Sequence, residues 1–204
     1  MKLILASASP RRAQILRDAG MRFEIVRAKV SERRKQGERA WIMTRRLAQA
    51  KARAVVKSLG NKPPKAIVIG ADTIVEANGE LLGKPPSPRA AREMLAKLGG
   101  RTHRVITSVA AIRLPDCAEM IATESTRVRF ARLTADEIAD YVATGEPLDK
   151  AGAYAVQGIG GRFIERIYGC YFNVVGLPLA KLYGMLIHLG WQPAAPSKTG
   201  KAAG

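Results

Sequence analysis

"LILASASPRRAQIL", residues 3–16, sets the reading of the whole chain. The apolar run Leu3-Ile4-Leu5-Ala6 reads as a buried strand over 2–6. Ser9 is suited to the N-cap of a following helix, with Pro10 at its first position and Ala13, Leu16 and Ala19 at helical spacing until Gly20 stops it. A strand that hands over to a helix leaves unpaired backbone N–H groups beside the positive end of a helix dipole. The chain adds the hydroxyls of Ser7 and Ser9 and the guanidinium groups of Arg11 and Arg12 at that point. Cations are disfavoured beside a helix N-terminus, so two of them together predict an anion site there.

Working outward, strands and helices interleave. A short strand at 23–26 is followed by a basic loop at 28–37 and a long amphipathic helix at 38–59. A second buried strand at 66–70 runs into Ala71-Asp72-Thr73, and segments 74–77 and 80–82 flank the hairpin signal Asn78-Gly79. Ser87-Pro88 opens a helix to Leu98. Two alternating segments, 103–114 and 119–131, read as antiparallel strands, and Thr134–Glu137 is a capping box. Beyond Gly145 the chain is punctuated by glycine, with strand-like pieces at 162–167 and 171–174 and a closing helix at 177–189. The expected class is α/β with a mixed sheet, one domain over 1–191 and a flexible tail at 192–204.

The totals narrow the function. At 204 residues the chain suits one sizeable α/β domain or two small lobes around a cleft. Its apolar share of 47% and charged share of 25% are those of an ordinary globular protein. No apolar run approaches the roughly 20 residues that span a bilayer. Ala6-Ser7-Ala8 imitates a signal cleavage site, but the apolar run before it is too short and Arg11-Arg12 follows at once, which points to the cytoplasm. With two cysteines and two histidines, none of them in metal-ligand spacing, a disulfide framework or a zinc site is disfavoured. A metal would be a hard, oxygen-bound ion such as Mg²⁺ or Mn²⁺. The net charge is +17, and residues 27–53 alone hold ten basic side chains against Glu32 and Glu38. Such a field attracts polyanions, whether nucleic acid, acidic lipid or a nucleoside polyphosphate, and it also fits a solvated helix face.

Further residues carry chemistry. In "VIGADTIV" Asp72 follows a hydrophobic strand, at the carboxyl end where α/β sites form, and could hold a divalent ion or orient a water. Alone it would equally fit an Asx turn. Glu32 is either a second metal carboxylate or a surface counter-charge. Lys51 either lines a cleft or snorkels along its helix. Lys84, between glycine and proline, sits on a rigid tip, and "AGAYAVQGIGG" presents Tyr154 and Gln157 in a loop that a flat ligand could approach. A P-loop and a G-x-S-x-G elbow are both absent.

The fragments "LILASASPRRAQIL", "LAQAKARAV", "VIGADTIV", "GELLGKP", "DKAGAYAVQGIGG" and "VVGLPL", in that order, closely resemble the Maf family of nucleoside triphosphate pyrophosphatases, from about residue 2 to 189. The resemblance implies an elongated mixed sheet flanked by helices, with two lobes around a deep cleft, similar to inosine triphosphate pyrophosphatases and often dimeric. It implies a cytoplasmic house-cleaning enzyme that uses Mg²⁺ or Mn²⁺ to split a nucleoside triphosphate into monophosphate and pyrophosphate. The motif positions fall on Ser7, Arg11, Arg12, Glu32, Lys51, Asp72, Lys84 and Gln157. By resemblance Asp72 and Glu32 hold the metal and act with Lys51 in catalysis, while Ser7, Arg11, Arg12, Lys84 and Gln157 bind the nucleotide. Two arginines after S-x-S-P, together with an A-G-A-Y-x-x-Q-G loop, resemble the dTTP/UTP group, which implies turnover of base-modified pyrimidine nucleotides as well. Members with Trp at the Arg11 position resemble the 7-methyl-GTP group. The acidic motif, often Asp-Glu in the family, reads Ser31-Glu32 here.

The mechanism so implied is in-line attack of water on the α-phosphorus, driven by positioning and charge neutralisation. A rival expectation is a nucleic-acid-binding or septation-regulating protein that uses the basic 27–53 surface. With Trp41 as the one aromatic there, a stacking platform has little to build on.

Overall fold

The structure, a computed structural model, describes residues 1–61 and 63–193. From residue 194 onward the expected tail lies outside the described residues.

In chain order, β1 (Lys2–Leu5), α1 (Pro10–Asp18) and β2 (Phe23–Ile25) form the first parallel unit, and α2 (Ala40–Ser58) crosses back to β3 (Ala66–Ala77). Next come β4 (Glu80–Leu82), α3 (Pro88–Leu98), β5 (Thr102–Arg113), β6 (Glu119–Phe130) and α4 (Ala135–Ala143). Beyond three short 3₁₀ turns lie β7 (Ile164–Tyr168), α5 (Tyr171–Val175) and α6 (Leu179–His188). The strands make one mixed seven-stranded sheet in the order β2-β1-β3-β5-β6-β7, with β4 added to β3. The expected α/β class with a mixed sheet is the fold observed.

Alternation along β3 distributes the core. Ile67, Ile69 and Ala71 face α1 and α6 beside Leu16, Leu182 and Leu186, whereas Val68 faces α2 beside Ala48 and Ala52. Farther along, Val75 joins a separate core under α3 and α4 with Leu95, Phe130 and Tyr141. The expected capping box starts α4, with Thr134 accepting from the Glu137 N–H and the Glu137 carboxylate accepting from the Thr134 N–H.

Two expectations are corrected. β3 is a single strand of twelve residues, so Asp72 lies in its middle and not at its carboxyl end. The ladder with β5 continues unbroken from Ile67 to Glu76, and this long pairing carries the strand past the polar Asp72-Thr73 step. Segment 171–174 is helical, within α5. A short apolar run bounded by glycines has no period that separates strand from helix. Here the Cys170 and Asn173 carbonyls accept from the Thr126 and Thr107 hydroxyls, and the buried Asn173 amide donates to the Val105 carbonyl and to Thr126 Oγ1.

Candidate active site

β1 leaves the edge of β3 at the Leu5–Ile69 pair, and β4 joins that edge only at Val75. Between these points Gly70–Ile74 have no strand partner on that side among the described residues. A cavity of about 420 Å³ occupies the gap, within the range of small-molecule sites. Ser7, Arg11, Arg12, Glu32, Lys51, Asp72, Lys84 and Gln157 all line it. Every residue singled out from the sequence is thus brought to one cleft, which opens where β1 ends.

Asp72 and Thr73 project to opposite faces of the sheet, and each meets a cation. Towards α2, the Lys51 ammonium donates to Asp72 Oδ1 at 2.7 Å and pairs with Glu32 Oε1 at 2.6 Å. Lys51 and Asp72 are buried, while the Glu32 side chain is 54% exposed. The two carboxyls are pushed apart. Burial raises Asp72 above the ordinary aspartate range despite the charge of Lys51. Burial also acts on Glu32, but the Lys51 hydrogen bond and charge outweigh it and hold that carboxyl below its ordinary value. One carboxylate is thus buried and the other half-exposed, around a single ammonium.

On the other face, Arg12 is buried. Its Nε donates to the Gly176 carbonyl at 2.8 Å. Nη1 donates to the Ala71 carbonyl at 3.0 Å and to Ser7 Oγ at 3.2 Å, and Nη2 donates to Thr73 Oγ1 at 3.0 Å. The Ala71 carbonyl belongs to the unpaired edge of β3, so Arg12 supplies the donor that a missing strand would have given. Arg12 spends most of its five donors building the cleft wall and lends the cleft its charge. Ser9 occupies the N-cap position of α1 without a side-chain cap bond, and its own N–H donates to Ser7 Oγ. The uncapped start of α1 therefore stands at the cavity wall, as an anion site requires.

Arg11, Lys84 and Gln157 lie at the rim. Arg11 Nη1 stands 3.6 Å from Asp149 Oδ2, on the opposite side of the opening, and Lys84 and Gln157 are exposed. Behind the wall, Tyr154 lines the cavity and its hydroxyl meets His103 Nε2 at 2.8 Å. Burial pulls His103 down to about 4. Sequence reasoning missed Thr73, the Gly176 carbonyl and His103. Thr73 was available as the neighbour of Asp72, but no local pattern flags a carbonyl 164 residues from its donor.

Four of the ten basic side chains of the 27–53 stretch are engaged within the protein. Arg46 forks onto the buried Glu38 at 2.6 Å to each carboxylate oxygen, holding that carboxyl down to about 2. Arg34 donates to the Glu38 carbonyl, Arg53 pairs with Glu119, and Lys51 belongs to the cleft.

The donor chemistry fits a hard divalent ion. No group of three or more His, Cys, Asp or Glu suited to a metal occurs among the described residues. However, Glu32 and Asp72 reach the same ammonium from different elements, and Mg²⁺ is commonly held by one or two carboxylates together with substrate phosphates.

The chain is similar to known proteins along most of its length. A family model described as "Maf-like protein" matches residues 2–189. A dTTP/UTP pyrophosphatase of Moorella thermoacetica is 48% identical over 93% of this chain and 95% of its own length. That of Koribacter versatilis is also 48% identical, with the same coverage of both chains. Among solved structures, a nucleoside-triphosphatase / dITP/XTP pyrophosphatase from Mycobacterium abscessus aligns with TM-score 0.40 at 16% identity, covering 95% of this chain and 100% of that one.

Proposed function

The chain belongs to the Maf family, and on that premise we propose that it hydrolyses dTTP and UTP, with base-modified pyrimidine relatives, to the nucleoside monophosphate and pyrophosphate. The observation that carries this reading is the convergence of all eight motif residues on one cavity around the Glu32–Lys51–Asp72 triad.

The residues act as follows. The uncapped start of α1, with Ser7, Arg11, Lys51 and Lys84, binds the triphosphate and spreads its charge. Arg12 fixes the wall and adds a buried positive field. A water enters beside Asp72, whose Oδ2 carries no hydrogen bond among the described residues and is the oxygen left to take a proton. The water oxygen attacks the α-phosphorus, the bond to the α–β bridging oxygen breaks, and pyrophosphate leaves opposite. Glu32 and Asp72 would hold a Mg²⁺ or Mn²⁺ ion, which when bound neutralises phosphate charge and lowers the pKa of water. Gln157 meets the base at the rim. Two further readings come with the family. The free thiols of Cys117 and Cys170 suit a reducing cytoplasm, and a homodimer is the assembly expected.

The test is pyrophosphate release from a panel of nucleoside triphosphates with Mg²⁺ or Mn²⁺. Preferential turnover of dTTP and UTP is expected, and turnover confined to purine nucleotides would overturn the substrate assignment.

A further inference from the structure

Gln157 sits in a loop that no strand or long helix supports, yet both sides of it are pinned. Before it, the Ala155 N–H donates to the Tyr141 hydroxyl at 3.2 Å. After it, the N–H groups of Ile159 and Gly160 donate to the Glu146 carboxylate, each at 3.0 Å, one to each oxygen. The two anchors are themselves joined, because the Tyr141 hydroxyl donates to Glu146 Oε1 at 2.7 Å. Tyr141 is fully buried in the core under α3 and α4, so this chain of bonds ties the loop to a rigid body.

The fit leaves no slack. Gly158 has φ +108°, and a Cβ there would lie 2.5 Å from Glu146 Oε2. A Cβ on Gly160 would lie 2.4 Å from the Tyr141 hydroxyl. Burial pushes the Glu146 carboxyl up, but the Gly160 N–H, the Tyr141 hydroxyl and the Ile159 N–H outweigh it and keep the group ionised. The same residue also braces the part of the rim that meets Arg11. Its backbone carbonyl accepts from Lys150 Nζ at 2.9 Å, and Lys150 pairs with Asp149, the residue opposite Arg11.

From these contacts we infer that Glu146 and Tyr141 are positioning residues for base selection: they hold Gln157 at the height and angle at which its amide reads the pyrimidine. The inference rests on the reading of Gln157 as the base contact. Neither residue lines the cavity, so both act through the loop.

Glu146→Gln keeps the size of the side chain but replaces one accepting oxygen with an NH₂ that faces the loop N–H groups. Tyr141→Phe keeps the ring and removes only the hydroxyl, so it tests the same link should the first variant fold poorly. In each, KM for dTTP should rise roughly tenfold with kcat altered much less, and the kcat/KM preference for dTTP over dCTP should fall by about the same factor. Gln157→Ala should lose that preference too, and adding Glu146→Gln to it should lower the preference no further. If Gln157→Ala loses the preference while Glu146→Gln and Tyr141→Phe keep it, the positioning role is overturned. If Gln157→Ala itself keeps the preference, the base-reading role of Gln157 fails and takes this inference with it.

Discussion

Gly70 of β3 lies directly against Ala48 of α2, so closely that a Cβ at Gly70 would stand 2.2 Å from the Ala48 carbonyl oxygen and 2.8 Å from the Ala52 N–H nitrogen. Both close atoms are backbone, so no side chain can turn aside to make room. Lys51 sits on the same stretch of helix, and Asp72 lies two residues along the strand. Gly70→Ala should therefore force α2 outward, cost roughly 1–3 kcal/mol of stability as an overpacked site does, and lengthen the Lys51–Asp72 contact. Thermal unfolding together with turnover checks it. A variant as stable and active as the parent would show that the close approach is dispensable.

The bridge of Lys51 between Asp72 and Glu32 predicts an asymmetry between substitutions. Asp72→Asn removes the base and should lower kcat by roughly 10²–10⁴-fold even at saturating Mg²⁺. Glu32→Gln leaves the Lys51–Asp72 pair in place, and its loss should be partly recovered at raised metal concentration. Titration of kcat against Mg²⁺ distinguishes the two. Equal and unrecoverable losses would contradict the proposed division of roles between the buried Asp72 and the half-exposed Glu32.

Arg12 makes four hydrogen bonds from a planar fork. A lysine at this position offers three donors from a single point and cannot span Gly176, Ala71 and Thr73 together. Arg12→Lys should cost on the order of 2–4 kcal/mol by leaving buried carbonyls unpaired, and turnover should drop even in the folded fraction. Urea unfolding measures the first effect and single-turnover kinetics the second.

His103 gives a pH signature. Burial holds it at about 4 in the folded chain, below its ordinary value near 6.5. In the window between these values the unfolded chain binds the extra proton, so stability rises with pH there. The contribution is complete above pH 6.5 and is lost as pH falls towards 4, amounting to about 3 kcal/mol. His103→Gln should flatten the difference in unfolding free energy between pH 6.5 and pH 4 relative to the parent. A parallel slope in both proteins would refute the assignment.

Much of the site was legible because its residues announce themselves by local incongruity: paired cations at a helix start, an acid on an oily strand, a lysine between glycine and proline. Those cues depend only on neighbours in the chain. What was not legible depends on long-range pairing. The single span of β3 comes from its ladder with β5, which a polar step in the sequence disguises as a strand end. The four-way engagement of Arg12 needs the Gly176 carbonyl, and the hold of Glu146 on the loop beyond Gln157 needs the turn that folds 159–160 back onto it. The strand expected at 171–174 is helix α5 because five residues carry too little periodicity to decide.

The unbroken run of β3 has a mechanical consequence. Asp72, Thr73, Ile74 and Val75 line the cleft from one strand that is paired along its other edge with β5, so both halves of the protein share one continuous keel. A hinge between them would have to break that ladder. Any change in the cleft's opening is thus left to the connection 28–39, because the facing loop is pinned through Glu146 and Tyr141 and the bed beneath is one strand.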